Sequence, residues 1–321
     1  MKSILFRQTG EPADVLQYAD AAEPQISDGH VLVKVTHRPI HPADLAFIRG
    51  QYRARPNFPQ VAGLEGVGVV VESAAGAPFA AGRRVAFRYP GSWAELACVP
   101  FDRLIAVPSD VSDEAACQIS LNPVTALGLL DAAKVRPGDW ILITAAASTV
   151  ANLAAAIARK RGVNVIGLVR GDAGENKSRS PADHILSTAD PDFLSRIAAI
   201  TGDRRVSALL DSVGGPGVTR LFATLTPGAR IVAYGVQDRE PAIVTNAMLI
   251  YSNLTWQGFG IDRWLSDCPP ATKAKMIDEL WSMVTDKTLP LPVASTLGLD
   301  QFREALAADA SQGRIGKVVL V

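Results

Sequence analysis

The sequence predicts an α/β protein, with a β-rich first part followed by a parallel, doubly wound sheet. Residues up to about 120 contain short β-branched runs, such as 66–72 (GVGVVVE), that glycine and proline separate at strand length. Residues 140–170 indicate a strand, a tight turn, a helix and a second strand, and strands alternate with helices to about residue 260. Such alternation is typical of a parallel sheet covered by helices on both faces.

Short strands dominate the first part of the chain. They are expected at 1–8, 31–35, 66–72, 85–88 and 93–99. The recurrent glycine and proline between them favour a barrel or an irregular sheet over a helical domain. Helical character begins near residue 115, so we assign the first domain to residues 1–120.

Alternating elements fill the second part. After the strand at 140–144, we expect a helix at 150–161, strands at 163–169, 183–187, 206–211 and 230–235, and helices at 191–201 and 218–225. These elements define a second domain at 121–262. The final segment, 263–321, contains expected helices at 272–285 and 300–308 and an apolar closing strand at 317–321.

The first turn of the second domain carries small residues where dinucleotide-binding units carry glycines. Ala145, Ser148 and Ala151 stand where glycine provides a positive φ, a close backbone approach and tight helix–strand contact. Hydroxyl and amide groups of Ser148, Thr149 and Val150 can donate to phosphate oxygens at the start of the helix. An Ala-rich core helix without a cofactor is the alternative, since βαβ units are common.

The end of the next strand indicates which dinucleotide binds. An NAD site places an acidic residue there to hold the ribose 2′-hydroxyl, whereas this chain has Arg170, followed by Lys177 and Arg179. A cation suits a 2′-phosphate, so the sequence predicts NADPH. Gly235, at the end of the expected strand 230–235, is a further candidate for cofactor binding. An ordinary surface arginine is the alternative for Arg170.

Composition excludes several classes of partner. The chain has 32 basic and 32 acidic residues, so nothing indicates a nucleic acid or an anionic membrane surface. No apolar run is long enough to span a membrane, and the first residues lack the pattern of a signal peptide. Three cysteines far apart in sequence (Cys98, Cys117 and Cys268) suggest no disulfide framework, so a cytoplasmic location is expected.

Several motifs, in a fixed order along the chain, resemble the medium-chain dehydrogenase/reductase superfamily. They are 40–44 (IHPAD), 50–52 (GQY), 63–68 (GLEGVG), 122–126 (NPVTA), 211–215 (DSVGG) and the closing segment 313–321. The resemblance implies a GroES-like β-barrel domain joined to a doubly wound Rossmann domain, with the C-terminal tail returning to the barrel domain. It also implies a homodimer.

Metal ligands of the zinc-dependent members are replaced in this chain. His41 or its neighbours and Leu64 occupy the places of the ligating Cys and His, and a leucine cannot bind zinc. We therefore expect no metal. Of the zinc-free branches, the motifs resemble the reductases of 2-enoyl thioesters on coenzyme A or acyl carrier protein more than the quinone reductases. A protein that binds NADPH for regulation without turnover is the third possibility.

Tyr52 is the candidate catalytic residue of the enoyl reductase reading. Conjugate reduction needs a hydride donor and a proton for the α-carbon, and a phenol remains protonated at neutral pH and can supply that proton. An interface tyrosine packed on nicotinamide or substrate is the alternative. Asn122 and Thr125 are candidates for holding the nicotinamide, although a helix cap explains Asn122 equally well.

Two further groups are candidates for the substrate pocket. Arg49, Arg53 and Arg55 surround Tyr52 in sequence and could receive the phosphates of a CoA or carrier-linked substrate, a solvated loop being the alternative. Aromatic residues Trp256, Phe259 and Trp264 could line an acyl pocket, and core packing is the alternative for at least one of them.

Overall fold

The computed structural model describes residues 1–177, 180–311 and 313–321, without the side chains of residues 176 and 177. The chain divides into two units, one formed by Met1–Leu121 with Trp281–Val321 and the other by Asn122–Leu280. The sequence-based division placed the second boundary at residue 262. In the structure, residues 263–280 group with the second unit instead.

The first 121 residues consist mainly of strands. The strands are β1 (Lys2–Phe6), β2 (Gln17–Asp20), β3 (His30–Pro39), β4 (Gln60–Val61), β5 (Glu65–Ser73), β6 (Arg84–Arg88), β7 (Leu96–Pro100) and β8 (Leu104–Ala106). The helices are α1 (Pro12–Val15), α2 (Pro42–Ile48) and α3 (Asp113–Ala116). Short 3-10 turns connect some of these elements.

Strands and helices alternate through the second unit. Its elements are α4 (Asn122–Ala133), β9 (Trp140–Ile143), α5 (Thr149–Lys160), β10 (Asn164–Val169), α6 (Ala173–Lys177), β11 (His184–Ser187), α7 (Phe193–Thr201), β12 (Val206–Asp211), α8 (Gly215–Arg220), β13 (Leu225–Ala233), α9 (Asn246–Tyr251), β14 (Thr255–Gly258), α10 (Ile261–Asp267) and α11 (Pro270–Thr285). The tail adds β15 (Val293–Leu297), α12 (Phe302–Ala310) and β16 (Lys317–Leu320).

The first unit is built on a curved sheet whose described strands run β15-β16-β3-β5-β6-β8, with β7 also paired to β3. β3 shows why this sequence forms a strand: Val31, Val33 and Val35 are buried, while Lys34 between them is exposed. The tail strand β16 pairs with β3 through Val319 opposite Pro39. The predicted return of the tail to the barrel domain is therefore present.

A buried arginine joins the strands of this sheet. Arg38 is 2% exposed, and its guanidinium donates to the carbonyl oxygens of Val35 (2.9 Å), Ala94 (2.8 Å) and Ser92 (3.3 Å). A further bond of 3.5 Å reaches the carbonyl of Leu320 in β16. Because several carbonyls share one cation, Arg38 ties the tail strand to the rest of the sheet.

The second unit contains a parallel sheet whose described strands run β11-β10-β9-β12-β13-β14. This is a doubly wound order, as predicted, with the chain reversing direction across the sheet between β9 and β12. Ligands of such sheets bind outside the carboxyl ends of the strands at this reversal. Strand β13 begins earlier than the predicted residue 230: it starts at Leu225 and includes Pro227 and Gly228, and its pairing with β12 skips from Leu225 to Arg230.

Helix α10 explains why residues beyond 262 stay in the second unit. Gly128 of α4 lies under the aromatic rings of Phe259 and Trp264, so close that an added Cβ would stand 2.6 Å from Phe259. This contact holds α10 against α4 within Asn122–Leu280.

Every helix in the described part of the chain is too short or too polar to span a bilayer.

Candidate functional site

The turn between β9 and α5 keeps the backbone shape of a nucleotide-binding turn without its glycines. Ala145 has a φ of +48°, the left-handed conformation that glycine adopts most easily. Ser148 begins α5 as its N-cap, and its hydroxyl accepts from the backbone N–H of Ala151 (3.4 Å). The N–H groups of the first helical turn therefore face the carboxyl end of the sheet.

Gly167 on β10 lets the turn approach the strand closely, which in glycine-containing turns is made possible by a glycine of the turn itself. A Cβ at this position would stand 2.6 Å from the Cβ of Ala146. The turn therefore packs directly on the backbone of β10. The sequence analysis did not identify this residue, because an isolated glycine within a strand gives no indication of which segment approaches it.

Asp211, at the end of β12, fixes the neighbouring loop. Its Oδ1 accepts from the hydroxyl of Thr144 (2.8 Å) and the backbone N–H of Val213 (3.1 Å), and its Oδ2 accepts from the N–H of Gly214 (3.0 Å). Thr144 in turn accepts from the N–H of Ser212 (2.9 Å). This network joins the ends of β9 and β12, where the doubly wound sheet reverses.

A cavity of about 650 Å³ opens beside this network. Its walls come from the ends of β9, β10 and β12 and from the loops that follow them. The residues that matter below are Ser148, Arg170, Phe193, Asp211, Arg220 and Asp238. A cavity of this volume, at the carboxyl ends of parallel strands, can hold one of the two nucleotides of a dinucleotide cofactor.

Two of the predicted cofactor residues, Ser148 and Arg170, line this cavity. Thr149 and Val150 follow Ser148 in the first turn of α5, outside the lining, and Asn122 and Thr125 lie on the first turn of α4. Arg170 is exposed at the end of β10. The side chain of Lys177, and all of Arg179, lie outside the described residues.

Gly235 has a definite steric reason to be glycine. It follows β13, and a Cβ there would stand 2.6 Å from the carbonyl oxygen of Ser212. Tyr234, just before it, has a pKa raised to about 12 because its ring is buried, with Asp211 acting in the same direction. Gly235 was one of the predicted cofactor residues, whereas Tyr234 and Thr144 were not identified from the sequence, and Asp211 was noted only as part of the motif 211–215.

In the first unit, Tyr52 is half-buried and packs on an apolar cluster that contains Phe47. The guanidinium of Arg53 lies 5.6 Å from the centre of its ring. The guanidinium of Arg49 forms an ion pair with the exposed carboxylate of Glu11 (2.9 Å). Glu11 is therefore the counter-ion of Arg49, whose guanidinium was expected to bind a substrate phosphate.

The three aromatic candidates separate into two groups. Trp256 packs edge-to-face on Phe222 at 5.5 Å and belongs to the apolar cluster of the parallel sheet. Core packing, the alternative noted above, therefore accounts for Trp256. Phe259 and Trp264 lie together, 6.0 Å between ring centres, over Gly128.

Residues at the former metal position form a buried polar cluster. His41 Nε2 and Glu65 Oε2 are 2.6 Å apart, and Glu65 Oε1 accepts from the hydroxyl of Ser120 and the N–H of Leu121, both at 2.7 Å. Burial lowers the pKa of His41, and the nearby ammonium of Lys317 acts in the same direction. In the described part of the chain, no three His, Cys, Asp or Glu side chains are grouped so that they could hold a metal ion.

Comparisons with known proteins agree with this architecture. Residues 27–109 match the alcohol dehydrogenase GroES-like domain, and residues 149–281 match the zinc-binding dehydrogenase family. The chain is 30% identical to the mitochondrial enoyl-[acyl-carrier-protein] reductase of Xenopus tropicalis, over 95% of this chain and 91% of that protein. The corresponding protein of Bos taurus is 29% identical over 100% and 88%.

Solved structures show the same fold over the whole chain. A mycobacterial quinone oxidoreductase superimposes with a TM-score of 0.88 at 26% identity, covering 100% of this chain and 99% of that one. A second mycobacterial structure, complexed with NADPH, has a TM-score of 0.84 at 25% identity with the same coverage. The predicted fold class is therefore confirmed. The chain belongs to the medium-chain dehydrogenase/reductase superfamily, near its enoyl reductases and quinone oxidoreductases.

Proposed function

We propose that this protein is an NADPH-dependent reductase of activated carbon–carbon double bonds, with a 2-enoyl thioester as its substrate. The observation that carries the dinucleotide part is the cavity at the carboxyl ends of β9, β10 and β12, with Arg170 in its wall. The full-length relatives named as enoyl reductases and the NADPH complex of a solved neighbour support the same reading.

NADPH would be held by the second unit alone. The start of α5 offers N–H groups to the pyrophosphate, and Arg170 offers a guanidinium to the 2′-phosphate. A charge-assisted phosphate contact contributes about 1.5–3 kcal/mol, so NADPH should bind at least roughly tenfold more tightly than NADH. Arg170→Ala should remove most of that ratio. Equal affinities for both cofactors in the unmodified protein, measured by fluorescence titration, would refute this assignment.

Tyr52 supplies the proton in the proposed reaction. When bound, NADPH would supply a hydride to the β-carbon of the enoyl thioester, and the enolate so formed would need a proton at its α-carbon. The phenol O–H of Tyr52 then transfers its proton to the α-carbon, and water reprotonates the phenolate. The ring is half-buried, packs on the apolar cluster and has the guanidinium of Arg53 5.6 Å from its centre, which limits the motion of the side chain.

Tyr52→Phe tests this step, because it keeps the ring and its packing and removes only the hydroxyl. A positioned general acid contributes about 10²–10⁴ in rate, so kcat for crotonyl-CoA should fall by that order while NADPH affinity holds. Tyr89→Phe, in the same unit but packed on a different cluster, is the matched control. Full thioester turnover in Tyr52→Phe would contradict the mechanism.

A quinone is the second candidate substrate, because the solved neighbours include a quinone oxidoreductase that superimposes over the whole chain. Water can protonate the oxygens of a reduced quinone, so quinone activity should depend little on Tyr52. Measuring turnover of crotonyl-CoA against a panel of small quinones separates the two substrates. Tight NADPH binding without turnover of either would support the regulatory alternative.

The proposed thioester carries a phosphate group, on coenzyme A or on the pantetheine arm of a carrier protein. Arg53 lies over Tyr52, and burial lowers the pKa of Arg88, with Arg103 and Arg53 acting in the same direction and Tyr52 opposing them. These arginines therefore share one electrostatic neighbourhood with Tyr52. We assign the phosphates of CoA or of a carrier's pantetheine arm to this group of arginines, Arg53, Arg88 and Arg103.

We also propose a cytoplasmic homodimer. Exposed large apolar side chains cluster in one stretch of the second unit, namely Val236, Ile243, Ile250 and Tyr251, the last 86% exposed. They lie close in sequence to β14, which has an open edge in the sheet order of the described strands. Light scattering should give a molar mass twice that of one chain, and Tyr251→Asp should reduce the molar mass to that of one chain.

The cytoplasmic location is supported by the three cysteines, which are free, as is usual in a reducing compartment.

A further inference from the structure

We propose that Arg220 is a second cation for the 2′-phosphate of NADPH, acting together with Arg170. Both side chains line the same cavity of about 650 Å³. They reach it from different elements, since Arg170 follows β10 and Arg220 ends α8. The proposal rests on the NADPH dependence proposed above, and it adds a residue that the sequence analysis did not identify.

Arg220 is held in place by an aromatic ring. Its guanidinium carbon lies 5.2 Å from the centre of the Phe193 ring, which is 2% exposed and belongs to the core of the parallel sheet. A guanidinium over an aromatic face keeps its N–H donors free at its edge. Phe193 also lines the cavity, so the contact directs the arginine along the cavity wall rather than into open solvent.

Neither arginine has an acidic partner among the residues that the structure describes. The two carboxylates of the cavity are engaged elsewhere: Asp211 accepts from Thr144, Val213 and Gly214, and Oδ1 of Asp238 accepts from the N–H of Glu240 (3.0 Å). Two guanidinium groups without counter-ions in one cavity create a site for a dianion. The 2′-phosphate is the group by which NADPH presents such a charge there.

A different role for Arg220 makes a different prediction. If its planar guanidinium stacked on the adenine ring, removing Arg220 would lower the affinity for NADPH and for NADH by the same factor, because both cofactors carry adenine. If it binds the 2′-phosphate, only NADPH loses a partner when the charge is removed. The ratio of the two affinities therefore distinguishes the roles.

The experiment measures Kd for NADPH and NADH by fluorescence titration with the full chain. Arg220→Met should raise the Kd for NADPH roughly tenfold or more and should change the Kd for NADH less than about threefold, as expected for the loss of one charge-assisted contact. Adenosine 2′,5′-bisphosphate should lose affinity in parallel with NADPH, and adenosine 5′-monophosphate should not. Arg204→Met, an exposed arginine outside the cavity, is the matched control and should alter neither cofactor.

Arg220→Lys provides a second variant that keeps a charge and most of the aliphatic stem. It should retain more NADPH selectivity than Arg220→Met, and raising the salt concentration should narrow the difference between them. Equal loss of NADPH and NADH affinity in Arg220→Met, or no loss of either, would overturn the proposal. If Arg170→Ala abolishes selectivity while Arg220→Met preserves it, only this inference fails. If the unmodified protein shows no preference for NADPH, the proposed function fails first.

Discussion

Replacing Thr144 by valine removes one hydroxyl and leaves the shape of the side chain almost unchanged. In the structure that hydroxyl donates to the carboxylate of Asp211 (2.8 Å) and accepts from the N–H of Ser212 (2.9 Å). Thr144 is buried, so water cannot replace either bond without rearrangement. The substitution therefore tests whether this network holds the ends of β9 and β12 together.

The magnitude follows from the two bonds. A hydrogen bond to a charged acceptor contributes about 1.5–3 kcal/mol, and an orphaned buried N–H costs about 1–3 kcal/mol. Asp211 keeps its bonds from Val213 and Gly214, which limits the loss. We expect Thr144→Val to lower the free energy of unfolding by about 3–5 kcal/mol. The substitution should also lower the affinity for NADPH, because the loop after Asp211 lines the cavity.

Urea unfolding followed by far-ultraviolet circular dichroism measures the change, with NADPH titration in parallel. The matched control is Thr272→Val, at an exposed position on α11, which should stay within about 0.5 kcal/mol of the unmodified protein. If Thr144→Val is no more destabilising than this control, the Thr144–Asp211 network is not the element that fixes the strand ends.

Three further predictions follow from other features. Ala145→Gly should raise stability by about 0.5–1 kcal/mol in thermal melts, since it relieves the positive φ at a smaller entropic cost; a loss above about 1 kcal/mol would contradict this. Burial raises the pKa of Asp44 to about 8, above its unfolded value, so its contribution to stability falls as pH rises from about 4 to 8. Asp44→Asn should flatten that slope in pH-dependent urea unfolding, and an unchanged slope would refute the assignment. Finally, elemental analysis should find no stoichiometric zinc and chelators should leave the melting temperature unchanged; about one zinc per chain would disprove this reading of Leu64.

Local sequence was enough to predict the alternation of strands and helices and the position of Arg170. Both depend on residue patterns within one βαβ unit, where hydrophobic period and strand ends are visible along the chain. Ser148 as the start of α5 follows from the same local reasoning. Ala145 adopts the positive φ that glycine was expected to supply, and Gly167 on β10 leaves room for the neighbouring residue of the turn, Ala146.

Contacts between distant segments could not be predicted in this way. Thr144 and Asp211 meet only because β9 and β12 are neighbours in the sheet, which no local pattern reveals. The ion pair of Arg49 with Glu11 has the same origin, because the two residues are 38 positions apart in the sequence. The burial of Arg38 depends on carbonyl groups from separate strands, and an arginine in a β-rich sequence gives no sign of it.

The position of β16 has a consequence for how the protein is made. This strand lies between β15 and β3, although it is translated after the whole of Asn122–Leu280. The second unit can therefore fold on the ribosome while the sheet of the first unit still lacks an inner strand. Until residues 317–320 emerge, Arg38 and Pro39 of β3 lack the strand with which they pair. Removing residues 317–320 would therefore take an inner strand out of the sheet, between β15 and β3.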